Sequence, residues 1–188
     1  MNKESNDTIL WESFKSGNKE SLGLLFRRYY NPLYNYGCKI TNDTNLLEDT
    51  IQELFTELWQ NRTQTKVLSV KAYLLMALKY KLFKQLKKKK SFSSDIPEEI
   101  HFELSYESLK ISLEEDALKA KKILQSLEQL SNRQKEIVYL KFYQDLSYDE
   151  ISEIMEINYQ AARNLLYQAV KSLKKILQDS VYRMFLFL

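Results

Sequence analysis

Apolar residues recur at three- and four-residue intervals along most of this chain, the spacing typical of amphipathic helices. The first helix is predicted from Thr8 to Tyr30, with Gly17 marking a turn between two pieces, and the next begins at Pro32. Two more helices are predicted before the middle of the chain, Leu46 to Gln60 and Ser69 to Lys90. A weakly periodic, acidic stretch follows from Ser91 to about Leu113. The helical pattern then resumes with Glu115 to Leu130, Asn132 to Tyr143 and a closely spaced pair between Leu146 and Lys175.

This last pair carries the clearest local signals. Ser147 precedes Glu150 by three residues, a capping box that starts one helix, and Asn158 is a favourable N-cap for the next. The second helix has an apolar stripe and an opposite face that is polar and basic, with no acidic residue from Tyr159 to Gln178. Two helices joined by a short turn in this way are typical of a helix-turn-helix, with an ordinary helical hairpin as the alternative. A similar capping box, Ser131 with Gln134, starts the preceding helix.

The composition narrows the classes of protein. Three Gly and two Pro in 188 residues argue against a turn-rich β protein and a Gly-rich phosphate loop, so the predicted fold is all-α. The single cysteine, Cys38, excludes an internal disulfide and is interpreted as a small core residue in a reducing compartment. His101 stands alone in the acidic stretch and is expected to be exposed. These features predict no catalytic residue, no metal site and no cofactor.

The N-terminus is polar and charged, and no apolar run reaches the length of about 20 residues that crosses a bilayer. We therefore expect a cytoplasmic protein without stable membrane insertion. The apolar tail, 179–188, is interpreted as packing on the last helices, with a docking patch for a partner protein as the alternative.

Charge is distributed unevenly, although the formal net charge is only +3. Residues 1–90 carry +7, residues 91–116 carry −7 and residues 117–188 carry +3. Two basic blocks on either side of an acidic segment fit two nucleic-acid-binding modules joined by a tether. The predicted organisation is a first domain at 1–90, an acidic linker at 91–115 and a second helical domain at 116–178.

Two helices of the first domain differ sharply in charge. The third predicted helix buries one apolar face and turns carboxylates outward, with Trp59 near its edge. The fourth lies within Lys66–Lys90, which holds nine lysines and no acidic residue. Lysines can neutralise phosphates, and the interspersed Tyr73, Tyr80 and Phe83 could stack on unpaired bases, unless these rings belong to the core and the lysines are simply solvated.

The chain resembles the extracytoplasmic-function group of bacterial RNA polymerase sigma factors over about residues 7 to 178. The most specific match is the stretch from Leu47 to Trp59, which is similar to the acidic helix that docks on the clamp helices of the polymerase largest subunit. The segment from Leu127 to Phe142, with Leu146 to Leu173, resembles the domain that contacts the −35 element. Residues 26–30 and 32–34 resemble the opening helices of the family.

The resemblance implies roles for individual residues. Core polymerase, through its clamp helices and flap, promoter DNA and an anti-sigma factor are the implied partners. The acidic helix would bind the core through Glu48, Asp49, Gln52, Glu53, Phe55, Leu58 and Trp59. The fourth helix would hold the separated −10 strand through Tyr73, Lys79, Tyr80, Lys84, Lys87 and Lys88. The −35 element would be contacted by Tyr159, Gln160, Arg163, Asn164, Tyr167, Lys171 and Lys174, with Arg163 the best candidate for reading a base.

The fourth helix departs from the family pattern at Tyr80, Lys84 and Lys87, where relatives often carry Asn, Asp and Arg. Because lysine is a poorer bidentate base reader than arginine, phosphate contact is favoured here. Three other classes of protein remain as alternatives. The first is a helix-turn-helix regulator acting without polymerase, which would not need the acidic helix with its tryptophan. The second is an enzyme. The third is a helical adaptor, which the acid-free basic helix disfavours.

Overall fold

The computed structural model describes residues 3–63, 67, 69–90, 101–104 and 126–177, and every regular element in these ranges is helical. The chain divides into two compact units, Met1–Glu98 and Glu99–Leu188. The first holds α1 (Lys3–Lys15), α2 (Lys19–Gly37), α3 (Thr44–Gln60) and α4 (Val70–Lys90). The second holds α5 (Asn132–Phe142), α6 (Tyr148–Met155) and α7 (Tyr159–Leu177). The predicted all-α class is confirmed.

The N-terminal unit packs around one apolar face from each helix. Phe14, Leu25, Leu33, Leu47 and Leu78 are among its fully buried side chains. Asn18 caps α2 by accepting the backbone N–H groups of Glu20 and Ser21, and Asp43 caps α3 by accepting that of Leu46. Gly17, with a φ of +95°, makes the turn between α1 and α2, as the sequence predicts.

The prediction that a new helix begins at Pro32 is wrong, because α2 runs through this residue to Gly37. Proline removes one backbone hydrogen bond in a helix interior and clashes with the preceding turn, which normally favours a break. Here Leu25, Tyr29, Leu33 and Tyr36 form one continuous buried stripe across it. The burial of that stripe offsets the lost hydrogen bond.

The C-terminal unit begins with a short segment that lies inside the predicted linker. Phe102 and Leu104 are buried, and the Phe102 N–H donates to the Asn132 side-chain oxygen at 3.2 Å. The Phe102 ring meets that of Tyr139 edge-on, with centroids 5.8 Å apart. Residues 101–104 are therefore part of this unit's packing, although His101 itself is exposed as expected.

The helix boundaries of this unit follow the predicted caps. Ser131 and Gln134 form the capping box of α5, and Ser147 and Glu150 form that of α6, so both predictions are confirmed. The predicted helix from Glu115 to Leu130 is described only at its end, where residues 126–128 are helical. Within the acidic stretch, the sequence also predicts a short helical piece around Tyr106–Ile111. This piece and the apolar tail at 179–188 lie outside the described residues. In the described part of the chain, no helix combines the length and apolarity needed to cross a bilayer.

Candidate protein and nucleic-acid interfaces

The outer face of α3 is defined by Glu48, Asp49, Gln52 and Thr56, four exposed residues that the helical repeat places on one side. Phe55 and Leu58, predicted to share in binding, point instead into the core and are about 5% exposed. In the free chain these two side chains hold α3 in place and are not available on its surface. The outer face is therefore acidic and polar, with its apolar support beneath it.

Trp59 lies at the end of this face and is half-buried. The Arg62 guanidinium carbon stands 4.6 Å from the centre of its ring, and the Phe14 ring packs on it at 6.3 Å. Since cation–π and aromatic contacts hold the indole from two directions, part of the Trp59 ring is committed to this unit's own packing.

Glu53 and Glu57 leave the outer face and turn toward α4. Lys81 Nζ lies 2.6 Å from a Glu57 oxygen and 3.2 Å from a Glu53 oxygen. The hydrogen bond from Lys81 lowers the pKa of the Glu57 carboxyl below its ordinary value. Gln85 donates to Glu53 at 2.9 Å and accepts from the buried Thr50 hydroxyl at 3.0 Å. We name these five residues the polar seam.

The outer face of α4 is defined by Tyr73, Ala77, Tyr80, Lys84 and Lys87, which recur at alternating steps of four and three residues. Tyr80, Lys84 and Lys87 are exposed, and Tyr80, at 65%, is the most exposed large aromatic among the described residues of the N-terminal unit. Tyr73 is half-buried because its ring packs edge-on against Trp11 at 5.7 Å. The predicted combination of open lysines with an open ring is therefore present on one side of the helix.

Two other predicted residues of α4 lie off this face. Lys88 is exposed on the edge nearer α3, and Lys79 is half-buried on the opposite edge, five residues and about 140° from Lys84 at 3.6 residues per turn. Lys79 is thus not grouped with the other predicted −10 residues.

The exposed face of α7 carries every residue predicted for the −35 element: Tyr159, Gln160, Arg163, Asn164, Tyr167, Lys171 and Lys174. The opposite face buries Ala162, Leu166, Ala169 and Leu173, while Leu165 is half-buried. The Asn158 side chain caps the helix by accepting the Ala161 N–H at 2.8 Å. Both the start of α7 and its two-faced character agree with the prediction.

Side chains at the start of α7 restrain one another. The Arg163 guanidinium carbon is 6.0 Å from the Tyr159 ring centre, and that ring meets Tyr148 edge-on at 5.6 Å. Gln160 donates to the Asn164 side-chain oxygen at 3.1 Å. Such contacts reduce the side-chain entropy that Arg163 would lose on binding, which suits a residue that reads a ligand.

The turn before α7 is strained. Glu156 ends α6 in the left-handed conformation, with φ 52° and ψ 48°, and the Ile157 N–H donates to the Ser152 carbonyl at 3.1 Å. This is a Schellman motif, in which glycine normally takes the left-handed position. Because this turn has no glycine, Glu156 adopts the left-handed conformation itself, which lowers the stability of the folded unit by about 1 kcal/mol.

Sequence reasoning missed the polar seam. Glu53 and Glu57 are four residues apart, as are Lys81 and Gln85, so each pair lies on one side of its helix. That matching spacing of two carboxylates on α3 with a lysine and an amide on α4 is a signal for an interhelical contact. It identifies no partner helix, however, and so could not separate Glu53 from the outer face of α3.

Cys38 follows α2 and is half-buried rather than fully in the core. Burial raises the pKa of its thiol, which disfavours the reactive thiolate form. A structural role fits this residue better than a chemical one.

Comparison with known proteins gives family matches over most of the chain. Residues 25–92 match sigma-70 region 2, and residues 120–173 match sigma-70 region 4. A search of curated proteins yields no match.

Two solved structures share the fold at 16% identity and a TM-score of 0.59. One is CnrH in complex with the cytosolic domain of CnrY, where the match covers 91% of this chain and 96% of that one. The other is the sigma factor RpoE in complex with the anti-sigma factor NepR from Bartonella quintana, with 84% and 97% covered.

Proposed function

The chain belongs to the sigma-70 family as an RNA polymerase sigma factor of the extracytoplasmic-function type, and we propose which of its surfaces carry out each part of that function. A sigma factor binds core polymerase, recognises the −10 and −35 promoter elements and promotes initiation. The polymerase carries the catalytic machinery, so this chain acts as a specificity subunit without catalysis of its own. It works in the cytoplasm, where polymerase and promoters are found.

The outer face of α3 is the proposed docking surface for the core. Glu48, Asp49 and Gln52 are exposed there, and carboxylates repel DNA but attract a basic protein groove. The exposed part of Trp59 adds an aromatic contact at the end of this face. The observation that carries the proposal is this exposed acidic surface in the unit that matches sigma-70 region 2.

DNA contact is assigned to two helices. The outer face of α4, with Tyr80, Lys84 and Lys87 exposed, supplies phosphate contacts and a ring for the separated −10 strand. The exposed face of α7 enters the major groove at the −35 element, where Arg163 can pair with a guanine edge. The first module is assigned to 1–90, and the second to 116–178 together with residues 101–104, which pack on its helices.

An anti-sigma protein is a further proposed partner. The RpoE structure described above is a complex with an anti-sigma factor. The CnrH structure is a complex with the cytosolic domain of CnrY. Such a partner would hold the chain inactive by covering surfaces that the polymerase needs.

The test is retention of purified core polymerase by the immobilised chain. We expect Asp49→Lys to abolish or strongly weaken retention, because it places a positive charge in the middle of the docking face. Glu12→Lys makes the same change in charge on exposed α1 and should leave retention intact. Absence of retention by the wild-type chain, or equal retention by both variants, would contradict the proposal. A wild-type chain that bound promoter DNA but did not retain core polymerase would point instead to a regulator acting without the core.

A further inference from the structure

The polar seam joins the helix that faces the polymerase to the helix that faces DNA. It consists of Thr50, Glu53 and Glu57 on α3 and of Lys81 and Gln85 on α4, with every contact between 2.6 and 3.2 Å. In both helices the seam residues lie beside the proposed binding face and not on it. The seam therefore sets how the two faces are turned relative to each other.

We propose that Lys81 and Gln85 are positioning residues that fix the rotation of α4 about its own axis, and that Glu53 serves this seam and not the polymerase. The inference rests on the proposed function, since it assigns the residues that orient the −10 strand surface. None of the three would touch DNA or the core directly.

The apolar packing of α4 does not by itself fix the rotation of this helix. Its buried stripe is made largely of unbranched-at-Cβ leucines, Leu74, Leu75, Leu78 and Leu82, with similar volumes. Non-directional apolar packing of this kind tolerates repacking, whereas hydrogen bonds and ion pairs demand particular partners. One residue of slippage turns a helix by about 100°, which would carry Tyr80 and Lys84 away from the outer face.

The geometry of Lys81 supports an internal role. Its side chain is only 15% exposed, whereas those of Glu53 and Glu57 are 49% and 48% exposed. The ammonium group thus reaches from the edge of α4 to two carboxylates that remain partly hydrated. Neighbouring Lys84, in contrast, is exposed on the outer face.

Gln85 links α4 to two different residues of α3 through hydrogen bonds. Its amide nitrogen donates to Glu53 while its amide oxygen accepts from Thr50, so the two ends of one side chain meet different groups of α3. Thr50 is fully buried, and its single hydroxyl proton is shared between the Leu46 carbonyl at 2.6 Å and the Gln85 amide oxygen at 3.0 Å. A side chain that has hydrogen-bond partners on α3 at both ends favours one rotational setting of α4.

The main test uses holoenzyme assembled from core polymerase and the full chain, with a short fluorescein-labelled single-stranded DNA of mixed sequence as the probe. We expect Lys81→Met to weaken strand binding about tenfold, within the range of measured couplings between contacting residues. Core affinity should stay within about twofold of wild type, because the outer face of α3 is unchanged. Lys81→Arg should retain strand binding.

Salt dependence separates positioning from direct contact. Lys84→Met removes a proposed phosphate contact and should lower the slope of log affinity against log salt by about 0.7. Lys81→Met and the uncharged change Gln85→Met should both lower the slope, because a turned α4 withdraws Lys84 from the strand. The charge exchange Lys81→Glu with Glu57→Lys should recover strand binding, since it rebuilds an ion pair across the seam.

Folding of each variant is followed by tryptophan fluorescence, because Trp11 and Trp59 both lie in the N-terminal unit. Lys81→Met leaves two half-exposed carboxylates in water and should keep the unit folded. Gln85→Met is a second variant that removes hydrogen bonds without changing charge, and it should also weaken strand binding and lower the slope, although it removes no lysine.

Three results would overturn the inference. Strand binding could be unaffected by Lys81→Met and Gln85→Met, the slope could fall for Lys81→Met but not for Gln85→Met while the charge exchange fails to restore binding, or Glu53→Gln could weaken core binding while strand binding is kept. Failure of the wild-type chain to bind core polymerase is a different outcome and would contradict the proposed function itself.

Discussion

The two acid-free basic helices of this protein, α4 and α7, present different chemistry on similar scaffolds. α4 offers lysines and an open tyrosine, which attract phosphates and stack on bases with little regard to sequence. α7 offers Arg163, Asn164 and Gln160, whose donors and acceptors match base edges in the major groove. In the proposed function, positive charge alone therefore does not distinguish the two helices. The directionality of their polar groups distinguishes phosphate contact from base recognition.

The helices are also held by different means. α4 is set by the polar seam, in which ion pairs and hydrogen bonds reach across to α3. α7 is set by the Asn158 cap and by the strained turn at Glu156. The first arrangement depends on pH and charge, whereas the second depends on backbone conformation.

The largest expected effect concerns the lysines of α4. Changing Lys84, Lys87 and Lys88 together to Gln removes three exposed charges and should lower the salt slope for single-stranded DNA by about 2. Near 0.1 M salt, this corresponds to a loss of affinity on the order of 100-fold. The measurement is a salt titration of strand binding by holoenzyme, with sequence preference expected to stay the same. A loss confined to particular sequences would show that α4 reads bases.

A smaller, selective effect is expected from Arg163→Ala. If Arg163 meets a base edge, upstream-element binding should weaken by about 1–3 kcal/mol, and discrimination should relax at a single base pair. Competition among duplexes that differ at one position of the element measures this directly. Lys171→Gln is the matched comparison and should weaken all duplexes alike. A uniform loss for Arg163→Ala would instead make it a phosphate contact and erase the contrast with α4.

The turn before α7 gives a prediction about stability. Glu156→Gly should stabilise the C-terminal unit by about 0.5–1 kcal/mol, since glycine adopts the left-handed conformation without a Cβ clash. Glu153→Gly, three residues earlier in the regular part of α6, should destabilise it by about 1 kcal/mol. Hydrogen exchange of the α5 to α7 amides measures both. Destabilisation by Glu156→Gly would show that the Glu156 side chain, and not backbone conformation, supports the turn.

The smallest expected effect is the pH dependence of the seam. Because the folded-state pKa of Glu57 lies below its ordinary value of 4.5, its ion pair stabilises the N-terminal unit above that value. The contribution is lost as pH falls through the lowered pKa. Urea unfolding followed by tryptophan fluorescence should show Glu57→Gln to be less stable than wild type by a few tenths of a kcal/mol near neutrality, with the difference vanishing in acid. In a Lys81→Met background the difference should be much smaller at every pH, because Lys81 is the main cause of the lowered pKa.

The sequence predicted those features that local rules determine. Ser131, Ser147 and Asn158 cap their helices as expected, because a capping side chain bonds to the backbone only three residues away. The exposed face of α7 was also predicted correctly, since its apolar stripe has the helical period.

Features that depend on tertiary contacts were harder to predict. The passage of α2 through Pro32 depends on buried neighbours that local preference does not reveal. The burial of Phe102 in the C-terminal unit and the turn of Glu53 toward Lys81 depend equally on partners distant in sequence. The assignment of particular side chains to core polymerase or to DNA remains a prediction.

The most direct test is mapping of transcript start sites made in vitro by core polymerase on genomic DNA from the source organism, with and without the purified chain. We expect the chain to create a discrete set of starts sharing two upstream sequence elements, with Asp49→Lys abolishing all of them and Arg163→Ala altering those with a changed −35 element. Identical start sites with and without the chain, or starts that Asp49→Lys leaves unchanged, would contradict the account.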